Sequence, residues 1–314
     1  MAPPLRIAVA GASGFIGQAL VAHAVGAGHE VTAISRLGNS VPGARDVRLS
    51  GYTSVGEFAQ GLRNSDVLVH LAARAHQSNN STDADFSVNL AVTKAVVHAA
   101  RDAGVGRLIF ISSIGVNGDH TDGHAFTESD RPAPTEPYAR SKLLCERWLE
   151  EELSVRGGPD WTTIRPPLVY GRGAPGNFAR LARAIKTRIP LPLAGVKNLR
   201  SLVGLDNLLD MVMTCAHHAR ASNQLFLVAD GEDISTPDLL LSTGSAMGTP
   251  ARLWPVPHPL LSVIATATGR RDQLARLSGS LQVDIAKARS VLGWSPPLSL
   301  TEGLRRAVAP VEGR

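Results

Sequence analysis

The sequence predicts a doubly wound α/β fold, a parallel sheet with a dinucleotide site, joined to a smaller and less regular C-terminal domain. Three observations predict it. Short, nearly continuous apolar segments alternate with helix-length segments over the first 115 residues. Gly11, Gly14 and Gly17 stand between the first apolar segment and the first helix. Tyr138-Ala-Arg-Ser-Lys142 begins 25 residues after Ser113, where another apolar run ends. Apolar strands separated by helices imply a parallel sheet covered on both faces, which takes ligands at the carboxyl ends of its strands.

The elements follow in order. Residues 5–10 are short and apolar and run into glycine, a strand. Residues 15–27 have helical character, and Gly28 closes them. Residues 30–35 form a second strand, and residues 66–72 a third that is apolar nearly throughout. Residues 85–103 repeat with helical period and stop at Gly104, and residues 107–113 are a further buried strand. The polar stretch 115–137 is a loop long enough to need a functional reason. Pro137 suits a helix start, so residues 138–152 form a helix, and residues 161–165 form a strand ended by Pro166-Pro167. Beyond Gly171 prolines become frequent and strands less obvious. The expected division is a dinucleotide-binding domain over 1–171, with segments near 201–230 returning to it, and a substrate domain over 172–314.

Composition excludes several classes of function. No apolar run approaches the ~20 residues of a membrane span, and the N-terminus lacks a signal-peptide pattern. Cys145 and Cys215 are far apart and lack metal-ligand spacing, so neither a disulfide nor a metal site is expected and the cytoplasm is the expected compartment. Net charge is +5, yet arginines are scattered along the sequence rather than gathered in one run. That pattern argues against a nucleic-acid partner and suits a cleft for two phosphorylated ligands.

The glycine turn lets backbone approach a pyrophosphate, and the helix behind it offers unpaired N–H groups and positive potential. At the end of the second strand an acidic residue would hold an adenosine ribose and favour NAD(H). This chain has Ser35-Arg36 there. A guanidinium can pair with a 2′-phosphate, so NADP(H) is preferred and NAD(H) remains possible. Tyr138 and Lys142 share one helix face at i, i+4. An ammonium beside a phenol favours phenolate and makes the tyrosine a better acid–base at neutral pH. Ser113, at a strand end, can align the substrate oxygen.

These motifs, with Asp66-Val-Leu-Val-His-Leu-Ala-Ala73, Val88-Asn89 and Arg165-Pro-Pro-Leu-Val-Tyr-Gly171, resemble the extended short-chain dehydrogenase/reductases, in the nucleotide-sugar epimerase/dehydratase/reductase branch. The resemblance runs from Leu5 to about Leu304. It implies Ser113, Tyr138 and Lys142 as catalytic residues. It also implies a cofactor site lined by Ser13, Phe15, Ile16, Leu71, Ala72, Ala73, Asn89, Pro166 and Val169 besides the glycines, Ser35 and Arg36. For a UDP-sugar substrate it implies Ser112, Ser113, Asn177, Arg200 and either Arg271 or Arg276, arginine being suited to bidentate phosphate pairing. The adjoining Arg270 belongs to the same motif. Asn117 stands where the family has tyrosine. Ile114-Gly115 follow Ser113 in place of the family's acidic pair for dehydration, which leaves 4-ketoreduction and 4-epimerisation. Arg36 and the Arg200-Ser-Leu-Val segment point to reduction of a UDP-4-keto-6-deoxy-N-acetylhexosamine for surface polysaccharide. A 4-epimerase that recycles NAD is the alternative, and a non-catalytic NADP-binding regulator is a lesser one. The family also implies a homodimer through the 85–103 and 138–152 helices.

Overall fold

The computed structural model describes residues 3–38, 41–51, 53–74, 82–267, 269 and 271–309. Its chain order begins β1 (Arg6–Ala10), α1 (Phe15–Gly26), β2 (Glu30–Ser35), β3 (Arg45–Arg48), α2 (Val55–Leu62), β4 (Val67–His70), α3 (Asp83–Asp102) and β5 (Arg107–Ile111). It continues with α4 (Pro137–Arg156), β6 (Asp160–Arg165), β7 (Leu168–Tyr170), α5 (Asn177–Lys186), β8 (Arg200–Gly204), α6 (Leu205–His217), β9 (Gln224–Leu227) and β10 (Asp233–Ile234). Five helices close the described chain: α7 (Thr236–Ala246), α8 (His258–Ala267), α9 (Arg271–Ser278), α10 (Ala286–Leu292) and α11 (Leu300–Val308).

Seven strands form one sheet in the order β3-β2-β1-β4-β5-β6-β9, and every neighbouring pair is parallel. The order reverses between β1 and β4, where a crevice opens at the carboxyl ends of the strands. The sheet is buried on both faces. On one side α1 and α6 cover Ile7, Val9, Val69 and Ile109; on the other α2, α3 and α4 cover Ala8, Ile34, Leu68 and Phe110. This two-sided burial explains why the strands read as continuous apolar runs. β3 is four residues long and largely exposed, and α2 spans only eight residues, so neither stands out in the sequence.

A second sheet, β10-β8-β7, pairs β7 parallel and β10 antiparallel to β8. The chain returns to the first sheet through α6 and β9. The loop after Ser113 joins the two sheets' surroundings. Phe126 bridges Val283, and Thr121 N–H donates to the Ser280 carbonyl at 2.9 Å. The Leu292-Gly-Trp-Ser-Pro-Pro297 motif packs as structure: Trp294 is buried and its indole N–H donates to Asp210 at 2.7 Å.

One buried carboxylate pins the junction between the sheets. Tyr170 Oη donates to Asp230 Oδ2 at 2.7 Å, while Asp230 Oδ1 accepts from Gly204 N at 2.8 Å and Asn207 Nδ2 at 2.7 Å. Burial pushes the Asp230 pKa up, and these donors offset part of that cost. Replacing Asp230 by Ala strands three donors and is expected to cost about 3 kcal/mol, against about 1 kcal/mol for Tyr170→Phe. Urea unfolding midpoints of the two variants check the ranking.

Candidate active site

The three glycines have three different reasons. Gly11 has φ +92°, and a Cβ there would lie 2.7 Å from the Ala72 main-chain nitrogen. It must be glycine for the β1 turn to pass the end of β4. A Cβ on Gly17 would strike the Gly11 carbonyl oxygen, so Gly17 lets α1 pack against its own turn. Gly14 is different. Its backbone, φ −76° and ψ 169°, suits any residue, and a Cβ would meet only the Gly11 oxygen, at 3.4 Å. Gly14 is exposed, and no side chain caps the helix that starts at Phe15. Bare glycine before uncapped N–H groups fits a pyrophosphate.

The rest of the crevice follows from strand ends. Ser35 is buried at the end of β2 with its Oγ unpartnered among the described residues, and Arg36 is exposed beside it. Leu71 N–H donates to the Ala10 carbonyl at 2.8 Å, which places Leu71, Ala72 and Ala73 against the glycine turn. Ser13 and Ile16 are half-buried on that turn, and Phe15 packs toward Gly171. The Pro166 carbonyl accepts from Ile114 N–H at 2.9 Å, and Val169 packs on the core behind it. Asn89 is hydrogen-bonded within the protein. It is 1% exposed; its Oδ1 accepts from Arg74 N–H at 2.7 Å and its Nδ2 donates to Ser141 Oγ at 3.1 Å. It braces the segment after β4 against α4.

Tyr138 and Lys142 lie on one side of α4, with the Tyr138 ring edge-on to Phe86 at 5.7 Å. Lys142 is buried. Its Nζ donates to the Ile111 carbonyl at 2.8 Å and lies 4.6 Å from the Phe110 ring centre and 5.9 Å from that of Tyr138. The Lys142 ammonium by itself does not lower the phenol here; the expected acidification also involves an oxidised nicotinamide beside it. Burial pushes Tyr138 up to about 12, and burial pulls Lys142 down to about 8. Desolvation is the leading cause of both shifts, and Lys142 donates its hydrogen bond to Ile111. Ser113 Oγ accepts from Gly115 N–H at 3.2 Å, capping the short 3-10 turn Ile114–Val116. Ser112 is 4% exposed and its Oγ is unpartnered among the described residues.

Beneath these groups lies a network that sequence reasoning missed. Arg165 is 4% exposed and forks onto Glu146, Nε to Oε1 at 3.0 Å and Nη2 to Oε2 at 2.5 Å. Its Nη1 donates to Asn117 Oδ1 at 2.9 Å, and Asn117 Nδ2 donates to the Thr127 carbonyl at 3.0 Å. Asn117 is therefore buried and holds the turn. Glu146 lies four residues after Lys142, a spacing that could have flagged it. His70, at the end of β4, was also missed. It is fully buried, with Nε2 3.1 Å from Thr93 Oγ1, and burial with the nearby Lys142 charge lowers its pKa to about 3.

The predicted phosphate residues divide. Arg200 Nη1 donates to the carbonyls of Arg276 at 3.0 Å and Gly279 at 2.9 Å. Arg276 pairs at 2.8 Å with Glu136, which precedes the Pro137 that opens α4. Arg200 and Arg276 are thus brought together near the start of the Tyr138 helix. Arg271 is exposed at the far end of α9, and Arg270 lies outside the described residues. Asn177 is exposed at the first position of α5.

Comparison with known proteins agrees with this arrangement. The model of the NAD dependent epimerase/dehydratase family matches residues 7–229. The chain is 40% identical to a UDP-glucose 4-epimerase of Vibrio cholerae over 256 residues, covering 80% of this chain and 78% of that one. It is 27% identical to a dTDP-6-deoxy-L-talose 4-dehydrogenase (NAD(P)(+)) of Kitasatospora kifunensis, covering 98% of each. The fold matches that of the Thermus thermophilus UDP-glucose 4-epimerase complexed with NAD, with TM-score 0.78 and 24% identity over 97% of this chain and 98% of that one.

Two predictions follow from the geometry. Gly14→Ala should leave the melting temperature unchanged and weaken dinucleotide binding about tenfold, because only the ligand's space is filled. Gly17→Ala should instead destabilise the fold by about 1–3 kcal/mol; calorimetry and cofactor titration separate the two. His70 is neutral in the fold while its unfolded-state pKa is about 6.5, so acid favours the unfolded chain. From His70 alone, stability should fall by about 1.4 kcal/mol per pH unit as pH drops from about 6.5 toward about 3, and His70→Leu should flatten that slope. Urea midpoints measured from pH 7 to pH 4.5 read it.

Proposed function

The chain belongs to the NAD dependent epimerase/dehydratase family, and on that premise we propose that it reduces the C4 ketone of a UDP-4-keto-6-deoxy-N-acetylhexosamine. The observation that carries the reading is Tyr138 and Lys142 on one side of α4, with Lys142 bonded to the end of β5 and Ser35-Arg36, not an acid, at the end of β2. The Tyr138 phenol, kept protonated by desolvation, donates a proton to an oxyanion developing at C4. Lys142, at about 8, is charged at neutral pH and steadies that region electrostatically. Ser113 Oγ, pinned by Gly115 N–H, presents its own proton to the same sugar oxygen. A nicotinamide dinucleotide bound at the glycine turn supplies hydride. Arg200 and Arg276 are the cations placed to meet the substrate diphosphate, and Arg36 is assigned to the 2′-phosphate of NADP(H). Ile114-Gly115 leave no acid beside Ser113 for water elimination.

A second reading is 4-epimerisation with retained NAD, favoured by the 40% identity to the V. cholerae 4-epimerase. It requires Tyr138 to act first as a base. As part of the same proposal a homodimer forms through the outer faces of α3 and α4, where Leu144 stands 54% exposed.

The test supplies the UDP-4-keto-6-deoxy sugar with NADPH and follows loss of reduced nicotinamide, with the product identified by NMR. Stoichiometric NADPH consumption is expected, and Tyr138→Phe should slow it by about 10²–10⁴-fold while still binding cofactor. Interconversion of UDP-hexose 4-epimers with no net cofactor loss would decide for the epimerase. Titration should give a lower Kd for NADPH than for NADH, and Arg36→Ala should remove the difference; equal affinities for the unmodified chain discard the Arg36 assignment.

A further inference from the structure

Formal charge is divided between the two parts of this molecule. Residues 172–204 hold seven Lys or Arg and no Asp or Glu, and residues 248–283 hold four and one. These two segments carry a net +10, the whole chain +5, and the remainder therefore −5. Scatter along the sequence hides this, because the segments meet only in the fold. Leu191 bridges Leu253, Leu191 N–H donates to the Arg252 carbonyl at 2.8 Å, and Trp254 N–H donates to the Leu191 carbonyl at 3.1 Å. Ile185 of α5, Leu193, Val196 and Leu253 share one apolar cluster.

The outward side chains of those same segments are the cations. Arg180, Arg183 and Lys186 are exposed on α5, and Arg188, Lys197 and Arg252 are exposed beyond it. Among the described residues none of these six is in an ion pair, whereas Arg6, Arg101, Arg140 and Arg165 on the first domain each have a carboxylate partner. A purely solubilising face would be mixed in sign and free of large apolar groups. This one is neither. Ile189 and Trp254 are 57% and 56% exposed beside the cations. Helix α8, four residues past Trp254, leaves Leu260 and Val263 at 51% and 66% while Leu261 and Ala265 face inward.

Unpaired cations interleaved with exposed Trp and aliphatic side chains match the chemistry of an anionic bilayer surface. The cations meet headgroup phosphates, and the apolar groups enter the boundary with the acyl chains. Nucleic acid would use the charge but not the aliphatic groups. We propose that this face of the C-terminal domain, formed by α5, the 188–197 segment and Arg252–Val263, docks peripherally on an anionic phospholipid membrane. Among the described residues no helix is long and apolar enough to cross a membrane, so the attachment is to the surface. The proposal is independent of the reaction assigned above, since its readouts do not involve turnover.

The experiment is co-sedimentation of the full chain with phosphatidylcholine vesicles, with and without phosphatidylglycerol. Binding only to the anionic vesicles, weakening with salt, is expected, together with a blue shift of tryptophan emission that Trp254→Phe removes. The exposed triple variant Arg180→Gln/Arg183→Gln/Lys186→Gln should lower the partition coefficient about 100-fold, from a factor of about five per cation, with an unchanged melting temperature. Three results would overturn it: no binding to anionic vesicles; unaltered vesicle binding by the triple variant; or vesicle binding abolished by competing RNA that itself binds the unmodified chain more tightly. If the triple variant keeps vesicle binding but loses UDP affinity, the charges belong to the nucleotide site and the proposal fails.

Discussion

The buried Arg165–Glu146 fork is the interaction on which the candidate site depends. Glu146 is on the helix that carries Tyr138 and Lys142, and Arg165 ends β6. Through Asn117 the same guanidinium holds the turn that follows Ser113. Three elements that converge only at the crevice are therefore registered by one planar cation. An ion pair at this depth contributes little net stability, since desolvation consumes most of the attraction. Its value is geometric: the two-point fork admits one arrangement of helix against strand. Loss of either partner would strand the other as an unpaired buried charge.

Above that fork, burial governs protonation more than neighbouring charge does. Tyr138 is pushed up, Lys142 is pulled down and His70 is kept neutral, each chiefly by desolvation. The three lie at the carboxyl edge of the sheet, where strands end and helices close over them. A neutral imidazole under Lys142 leaves the ammonium uncontested by a second positive charge there. The phenol consequently stays protonated at neutral pH in this structure.

The second domain manages charge differently. On the first domain Arg6, Arg48, Arg101, Arg140, Arg156 and Arg165 each pair with a carboxylate. The C-terminal domain gathers bare cations and apolar groups on its outer face. Arg276 pairs with Glu136 at the start of α4, and Arg200 is held beside it by the carbonyls of Arg276 and Gly279.

Alternating apolar strands, the glycine turn and the Tyr138–Lys142 spacing were legible without coordinates because each is a local pattern. Strand burial sets a run of apolar residues, a tight turn sets glycine, and helix pitch sets i, i+4. Among the described residues of 1–115, β3 and α2 went unread; they span only four and eight residues. What the linear pattern left open depends on contacts between distant segments. Asn89 proved to be a brace, Lys142 bonds Ile111 rather than Tyr138, and Asn117 sits in a network with Arg165, 48 residues away. The basic face arises from segments some 60 residues apart. Sequence by itself determined the fold class, the glycine turn and the placing of Tyr138 and Lys142 on one helix face. Tertiary structure alone decided which polar groups are buried, what they pair with and therefore what charge they hold, because desolvation and hydrogen bonding act through space and not along the chain.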